Sequence, residues 1–174
     1  MAILWEEWNR VKMCPDLLLC EMHLVSVEIN LERPDCQEAA RLLNELDDYL
    51  IVLYPPESNH LLSVSDLLKP EVRFVIARIN GIAAGCGALL IKPGYGEIKR
   101  MYVRPDRRRT GVGRGIIEKL CTIARESGLK KVKLETGIFQ TSAIGLYERS
   151  GFKRIGPFGE YKEDPLSVFY ELTL

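Results

Sequence analysis

Between Arg108 and Gly115 the chain reads RRTGVGRG, with three glycines at alternate positions behind a pair of arginines. A helical pattern follows at once, with Val112, Ile116, Leu120, Ile123 and Ala124 on one face. Glycine has no Cβ, so an anion can approach the backbone N–H groups of Gly111, Gly113 and Gly115 directly. The helix that starts there adds about half a positive charge at its N-terminus. Arg108, Arg109 or Arg114 can close over the same oxygens, and Thr110 and Val112 complete the loop. The chemistry this pattern suits is the seating of a phosphate or pyrophosphate.

Other anion sites fit less well. A dinucleotide fingerprint requires G-x-G-x-x-G, but Ile116 stands where the third glycine belongs. Glu135 does lie at about the 20-residue distance of a ribose-binding acid. However, the whole stretch from Arg104 to Thr110 separates the preceding apolar segment from the first glycine. A Walker loop is excluded because no Gly-Lys-Ser/Thr follows. Lys99, Arg100, Arg104 and Arg107 join the loop arginines in a basic cluster that could grip nucleic acid. Yet only Tyr102 is interleaved as a stacking platform, and the formal net charge is 0. No nucleic-acid partner is expected.

The elements that must hold this loop follow from periodicity and breakers. HLVSVEIN (23–30) reads as a first strand, and a helix begins near Pro34-Asp35 with Ala39, Leu42, Leu43, Leu46 and Leu50 at helical spacing. That helix must break before YPPE (54–57). Residues 63–70 predict a short helix with Ser65 as N-cap. VRFVIARI (72–79) and IAAGCGALLI (82–91) flank Asn80-Gly81, a strong hairpin signal. Pro93-Gly94 turns the chain into a strand over 97–103, and the helix behind the glycines stops near Gly128. VKLE (132–135) is a strand, 142–150 a short helix closed by Gly151, and SVFYELTL (167–174) a final strand. The order is a β-meander followed by β-α-β-α-β, a mixed sheet with helices on it.

Two motifs together carry a resemblance. Arg108-Arg109-Thr110-Gly111-Val112-Gly113 resembles the acetyl-coenzyme A signature R/Q-x-x-G-x-G/A of the GNAT N-acetyltransferase superfamily. Downstream, Ala143-x-x-Leu146-Tyr147-x-x-x-Gly151-Phe152 resembles that family's second signature, A-x-x-L-Y-x-x-x-G-F, and the likeness runs over about residues 23–174. It implies an α/β (α+β mixed) GNAT fold: a mostly antiparallel six- to seven-stranded sheet flanked by about four helices. A V-shaped split is expected between strands 97–103 and 132–136. It also implies acetyl-coenzyme A as co-substrate, with its pyrophosphate at the arginine–glycine loop and its pantetheine arm along Met101, Tyr102 and Val103. The family often has Asn where this chain has Gln140, seven residues before the tyrosine, so that contact to the arm keeps its amide with a different reach.

The activity implied is acetyl transfer to a primary amine of a small or amino-acid-like molecule, directly within a ternary complex. The resemblance makes Tyr147 the general acid for the leaving thiol; from spacing alone it reads as a core aromatic beside Leu146. It makes Glu97 the general base, against a plainer reading as a surface partner of Lys99. The loops 54–60 and 159–169 should flank the acceptor, with Tyr54, Glu160 and Tyr161 as its contacts. A domain that only binds or senses coenzyme A, or one that acetylates protein, is the alternative.

Bulk properties set the frame. The chain has 174 residues, 47% of them hydrophobic and 28% charged, enough for one ordinary domain. Residues 1–21 differ in character and are expected to be a flexible or lightly docked extension, with a partner-binding arm as the alternative, ahead of a domain over 22–174. Cys14, Cys20, Cys36, Cys86 and Cys121 form no C-x-x-C pair, and only His23 and His60 offer imidazole, so neither a disulfide framework nor a metal site is expected. No apolar run suits a membrane span. The start MAILWEEWNR lacks a signal peptide's basic opening, so a cytoplasmic enzyme, compatible with a homodimer, is the expectation.

Overall fold

The computed structural model describes residues 26–58 and 61–174. The extension expected over residues 1–21, the start of the first strand and His60 lie outside the described residues. Asn80 and Gly81 both adopt left-handed φ, 50° and 78°. That is the geometry of a tight two-residue hairpin, and it joins β2 (Val72–Ile79) to β3 (Ile82–Lys92). β1 (Val27–Leu31) pairs antiparallel on the outer side of β2. Gly94, at φ 85°, turns β3 into β4 (Tyr95–Val103), which therefore begins two residues before the expected 97.

β5 (Lys131–Gly137) lies parallel to β4, β7 (Ser167–Thr173) pairs antiparallel with β5, and β6 (Lys153–Ile155) closes the far edge. The three-residue β6 carries no alternation long enough to be visible in sequence. The sheet order is β1-β2-β3-β4-β5-β7-β6, a seven-stranded sheet that is antiparallel everywhere except at β4–β5.

Helices cover both faces. α1 (Gln37–Leu53) buries Ala39, Leu42, Leu43, Leu46 and Leu50 on one face, against Phe74, Ile76, Cys86, Ala88 and Tyr102. α2 (Val64–Leu67) seals the same side; its N-cap is Ser63 rather than Ser65, since Ser63 and Asp66 make a reciprocal capping box. α3 (Val112–Glu126) and α4 (Thr141–Arg149) belong to the opposite face, whose core includes Ile98, Leu134, Ile116, Leu120 and Tyr147.

Two backbone features place the site. The β4–β5 ladder holds only at Gly96↔Val132, Glu97↔Lys133 and Ile98↔Leu134, so from Lys99 and Glu135 onward the two strands part. This is the V-shaped split. Beside it, the β3–β4 register shifts between Cys86 and Ala88, which leaves Gly87 opposite both Arg100 and Met101, a bulge. Arg100 takes φ 54° there, and its guanidinium is buried against Asp47 at 2.6 Å. The bulge leaves Lys99 and Tyr102 on the α1 face, paired with Ala88 and Cys86, and Met101 with the α3 core.

Candidate active site

A cavity of about 670 Å³ occupies the split. Leu146, Tyr147 and Gly113 line it from the α3–α4 face, and Leu46, Leu50 and Tyr54 from the α1 face. It thus reaches both sides of the sheet through the gap in hydrogen bonding, at a size usual for small-molecule sites.

On the α3–α4 side the cavity meets the arginine–glycine loop. Gly111, the N-cap of α3, has φ 89°, and Arg109 two residues earlier has φ 64°. These left-handed residues coil the chain tightly before the helix, whose first turn leaves N–H groups without intrahelical acceptors. A Cβ on Gly113 would stand 2.9 Å from Leu146 Cδ2, so the bare backbone lets the mouth of α3 approach α4 closely. Arg108, Arg109, Gly111, Gly113 and Arg114 all line the cavity.

Three other loop residues do not. Val112 is buried in the core, Thr110 donates its hydroxyl to the Arg107 carbonyl (2.7 Å), and Gly115 abuts Ile29, where a Cβ would meet Cδ1 at 2.7 Å. Arg108 turns back: its Nε donates to the Val103 carbonyl (3.1 Å), and its guanidinium lies 5.7 Å from the Tyr49 ring centroid. Met101, Tyr102 and Val103 line the opened edge of β4. Gln140 also reaches the cavity, but its side-chain oxygen accepts from Thr136 Oγ1 (2.7 Å) and the Gly137 N–H (3.0 Å), securing the turn from β5 into α4.

Tyr147 is both things the sequence allowed. Its ring packs edge-on against Phe152 (5.8 Å) and tilted against Tyr170 (6.4 Å), and it also lines the cavity. Burial, and secondarily the charge of Glu135, hold its phenol well above the usual range, so it stays protonated.

The α1 side carries the surprise. Glu97 is 2% exposed and does not line the cavity; it sits in the closed part of the ladder. Tyr161 donates to it at 2.7 Å, with the Lys92 and Lys99 ammonium groups 3.4 and 3.5 Å away. The carboxylate at the cavity is Glu135, one pleat further along, which accepts from Ser167 Oγ at 2.7 Å. Two features of the sequence hid it: the glutamate ends the short stretch VKLE, and the end of the ladder is a property of the paired strands.

Of the acceptor-side residues, Tyr54 lines the cavity, its hydroxyl accepting from the Phe139 N–H (2.9 Å) and its ring crossing Gly137, where a Cβ would be 2.2 Å away. Tyr161 lies behind the wall, bonded to Glu97 and Lys99, and Glu160 is exposed outside it. Tyr49, Thr136 and Leu166 line the cavity without having been singled out, and Lys99, read from sequence as part of the basic cluster and a partner of Glu97, lines it as well.

Among the described residues, no group of three or more His, Cys, Asp or Glu could hold a metal ion, and no helix is long and apolar enough to cross a membrane. Cys86 is fully buried, which pushes its thiol up to about 12, and burial also raises Cys121. Neither suits a nucleophile.

The comparisons with known proteins agree with this architecture. The model of the acetyltransferase (GNAT) family matches residues 39–152. An IAA acetyltransferase of Azospirillum brasilense is 47% identical over 151 residues, covering 86% of this chain and 99% of that protein. A Klebsiella pneumoniae structure described as an acyl-CoA N-acyltransferase superposes with a TM-score of 0.72 at 33% identity, covering 85% of this chain and 97% of that one. An N-acetyltransferase from Thermoplasma acidophilum, solved in complex with coenzyme A, shares the fold at a TM-score of 0.69 and 18% identity, with 86% and 99% covered. With a split sheet, two signatures in matching elements and a nearly full-length relative, the chain belongs to the GNAT family of acetyltransferases and is an acyltransferase.

Proposed function

We propose that the chain transfers an acetyl group from acetyl-coenzyme A to a primary amine of a small molecule, directly and without an acyl-enzyme. One observation carries this reading: a single cavity joins the glycine-lined mouth of α3, on one face of the sheet, to Glu135 on the other. The residues suit the co-substrate. N–H groups from Gly111 to Arg114, with Arg109 and Arg114, would hold the pyrophosphate, and the unladdered edge of β4 can accept an extended arm. The co-substrate supplies an activated acyl group on a thiol leaving group.

The chain's own groups supply the rest. An alkylammonium near pKa 10 must lose a proton before its nitrogen can attack, and Glu135, on the acceptor face, receives it. Glu97, the base the resemblance implies, is bonded to Tyr161 and paired with Lys99 behind the cavity wall, and this reading therefore gives the role to Glu135. Tyr147, on the opposite face, protonates the departing sulfur. A raised phenol is in the correct protonation state but is a weak acid against a thiol near 8.5, so its contribution depends on being held at the sulfur. A backbone N–H on the opened edge of β4 can donate to the carbonyl oxygen as charge builds there.

The experiment is thiol release from acetyl-coenzyme A across a panel of primary amines, with mass detection of the N-acetyl product. Amine-dependent release supports the reading. Tight binding of coenzyme A with no release from any amine or peptide would replace it with a binding role.

A further inference from the structure

Beyond Ile98↔Leu134 the next residues of the two parallel strands are Lys99 and Glu135, which lie on the same face of the sheet and both line the cavity. A cationic and an anionic residue therefore flank the first open position of the split. We propose that this pair reads a zwitterion: the acceptor is an amine that carries its own carboxylate a few atoms away, as in an α-amino acid. Its carboxylate is taken by Lys99 and its amine is presented to Glu135. The inference rests on the acetyl-transfer reading above and narrows its substrate.

The local charge supports an anionic guest. Among the described residues, Glu97 is the one carboxylate in hydrogen-bond or ion-pair range of Lys99, and it is shared with Lys92. On the neighbouring strand Glu171 is likewise shared by Lys131 and Lys133. Each cluster has two ammonium groups on one carboxylate, an excess of one positive charge. Arg100 contributes no such excess, because Asp47 neutralises it.

Lys99 is also built to present its charge. Its side chain is 9% exposed, and its Nζ donates to Tyr161 Oη at 2.6 Å while lying 5.3 Å from that ring's centroid. One hydrogen bond fixes the ammonium and leaves donors for a ligand. Around the pair, Leu46, Leu50, Leu61, Tyr54 and Leu166 make an apolar wall, which suits an aliphatic or aromatic side chain on the guest.

The test uses matched pairs that differ only in the carboxylate: leucine against 3-methylbutylamine, and phenylalanine against 2-phenylethylamine. For each pair the ratio of kcat/KM values is measured in the wild type, Lys99→Met and Lys99→Arg. Comparing ratios between enzymes cancels the intrinsic reactivity of the amines. The expected result is a wild-type preference for the amino acid that falls about 10- to 100-fold in Lys99→Met and is largely restored in Lys99→Arg. A ratio that stays within about threefold in Lys99→Met, or a wild-type preference for the decarboxylated amines, overturns the proposal while leaving acetyl transfer intact. Calorimetry of the same pairs with wild type and coenzyme A reads recognition without turnover. Equal affinity for both members of each pair overturns it there too, whereas absence of thiol release with every amine is the failure of the acetyl-transfer reading itself.

Discussion

Replacing Tyr147 by phenylalanine removes one oxygen and little else. The hydroxyl makes no hydrogen bond to a described residue, while the ring contacts with Phe152 and Tyr170 survive the change. No buried polar partner is orphaned, so stability should move by no more than about 0.5 kcal/mol. General acids usually contribute about 100- to 10,000-fold. Burial makes this phenol a weaker acid than an ordinary one, and hence much weaker than the thiol it serves, which argues for the lower part of that range. The expected loss in kcat is about 100- to 1,000-fold, or ~2.7–4.1 kcal/mol of barrier. The assay is thiol release at saturating acetyl-coenzyme A and amine, with calorimetry showing unchanged affinity for acetyl-coenzyme A. The sign of the pH effect is fixed as well. The active form is the protonated phenol and its pKa is raised, so the wild type should show no loss of rate through Tyr147 ionisation up to about pH 10. A Tyr147→Phe enzyme with normal kcat would refute the assignment and leave the residue a packing aromatic.

Glu135→Gln should lower kcat/KM at neutral pH about 10- to 100-fold and recover part of it as pH rises and free amine accumulates, while Glu97→Gln should show no such pH rescue; a pH–rate series on both variants decides between the two carboxylates. Gly113→Asp places a carboxylate in the first turn of α3 as well as a Cβ against Leu146, a contact that Gly113→Ala makes alone; at about 5 Å and an effective dielectric near 20 the added repulsion with a pyrophosphate is ~3 kcal/mol, so acetyl-coenzyme A affinity by calorimetry should be roughly 100-fold weaker in Gly113→Asp than in Gly113→Ala. Asp47→Ala strands the Arg100 guanidinium, which is 4% exposed, but Asp47 is itself 38% exposed, so the cost in urea unfolding should be about 2–3 kcal/mol rather than that of a fully buried pair.

What the sequence made legible, and what it hid, divides by range of interaction. Asn80-Gly81 fixes its hairpin within two residues, and RRTGVGRG announces a helix mouth through local chemistry alone. Tyr147 was legible through a motif shared with a family. The carboxylate on the cavity was not. Glu97 and Glu135 stand on adjacent strands one pleat apart, and which of them faces open space depends on where the β4–β5 ladder ends, a matter of pairing between distant segments. The bulge at Gly87 is similar: it holds Lys99 and Tyr102 on one face across Arg100, where simple alternation from Lys99 would send Tyr102 to the other. The N-cap at Ser63 turned on a choice between neighbouring serines that only the Asp66 side chain decides.

In the proposed reaction acetyl passes straight across the split from one face of the sheet to the other. Initial rates measured while acetyl-coenzyme A and an amine acceptor are both varied test it most directly. Direct transfer gives double-reciprocal lines that intersect, with no acetylated protein trapped when the amine is withheld and with activity retained in Cys86→Ala and Cys121→Ala. Parallel lines, together with an acetyl group recovered on the protein after incubation with acetyl-coenzyme A alone, would contradict it.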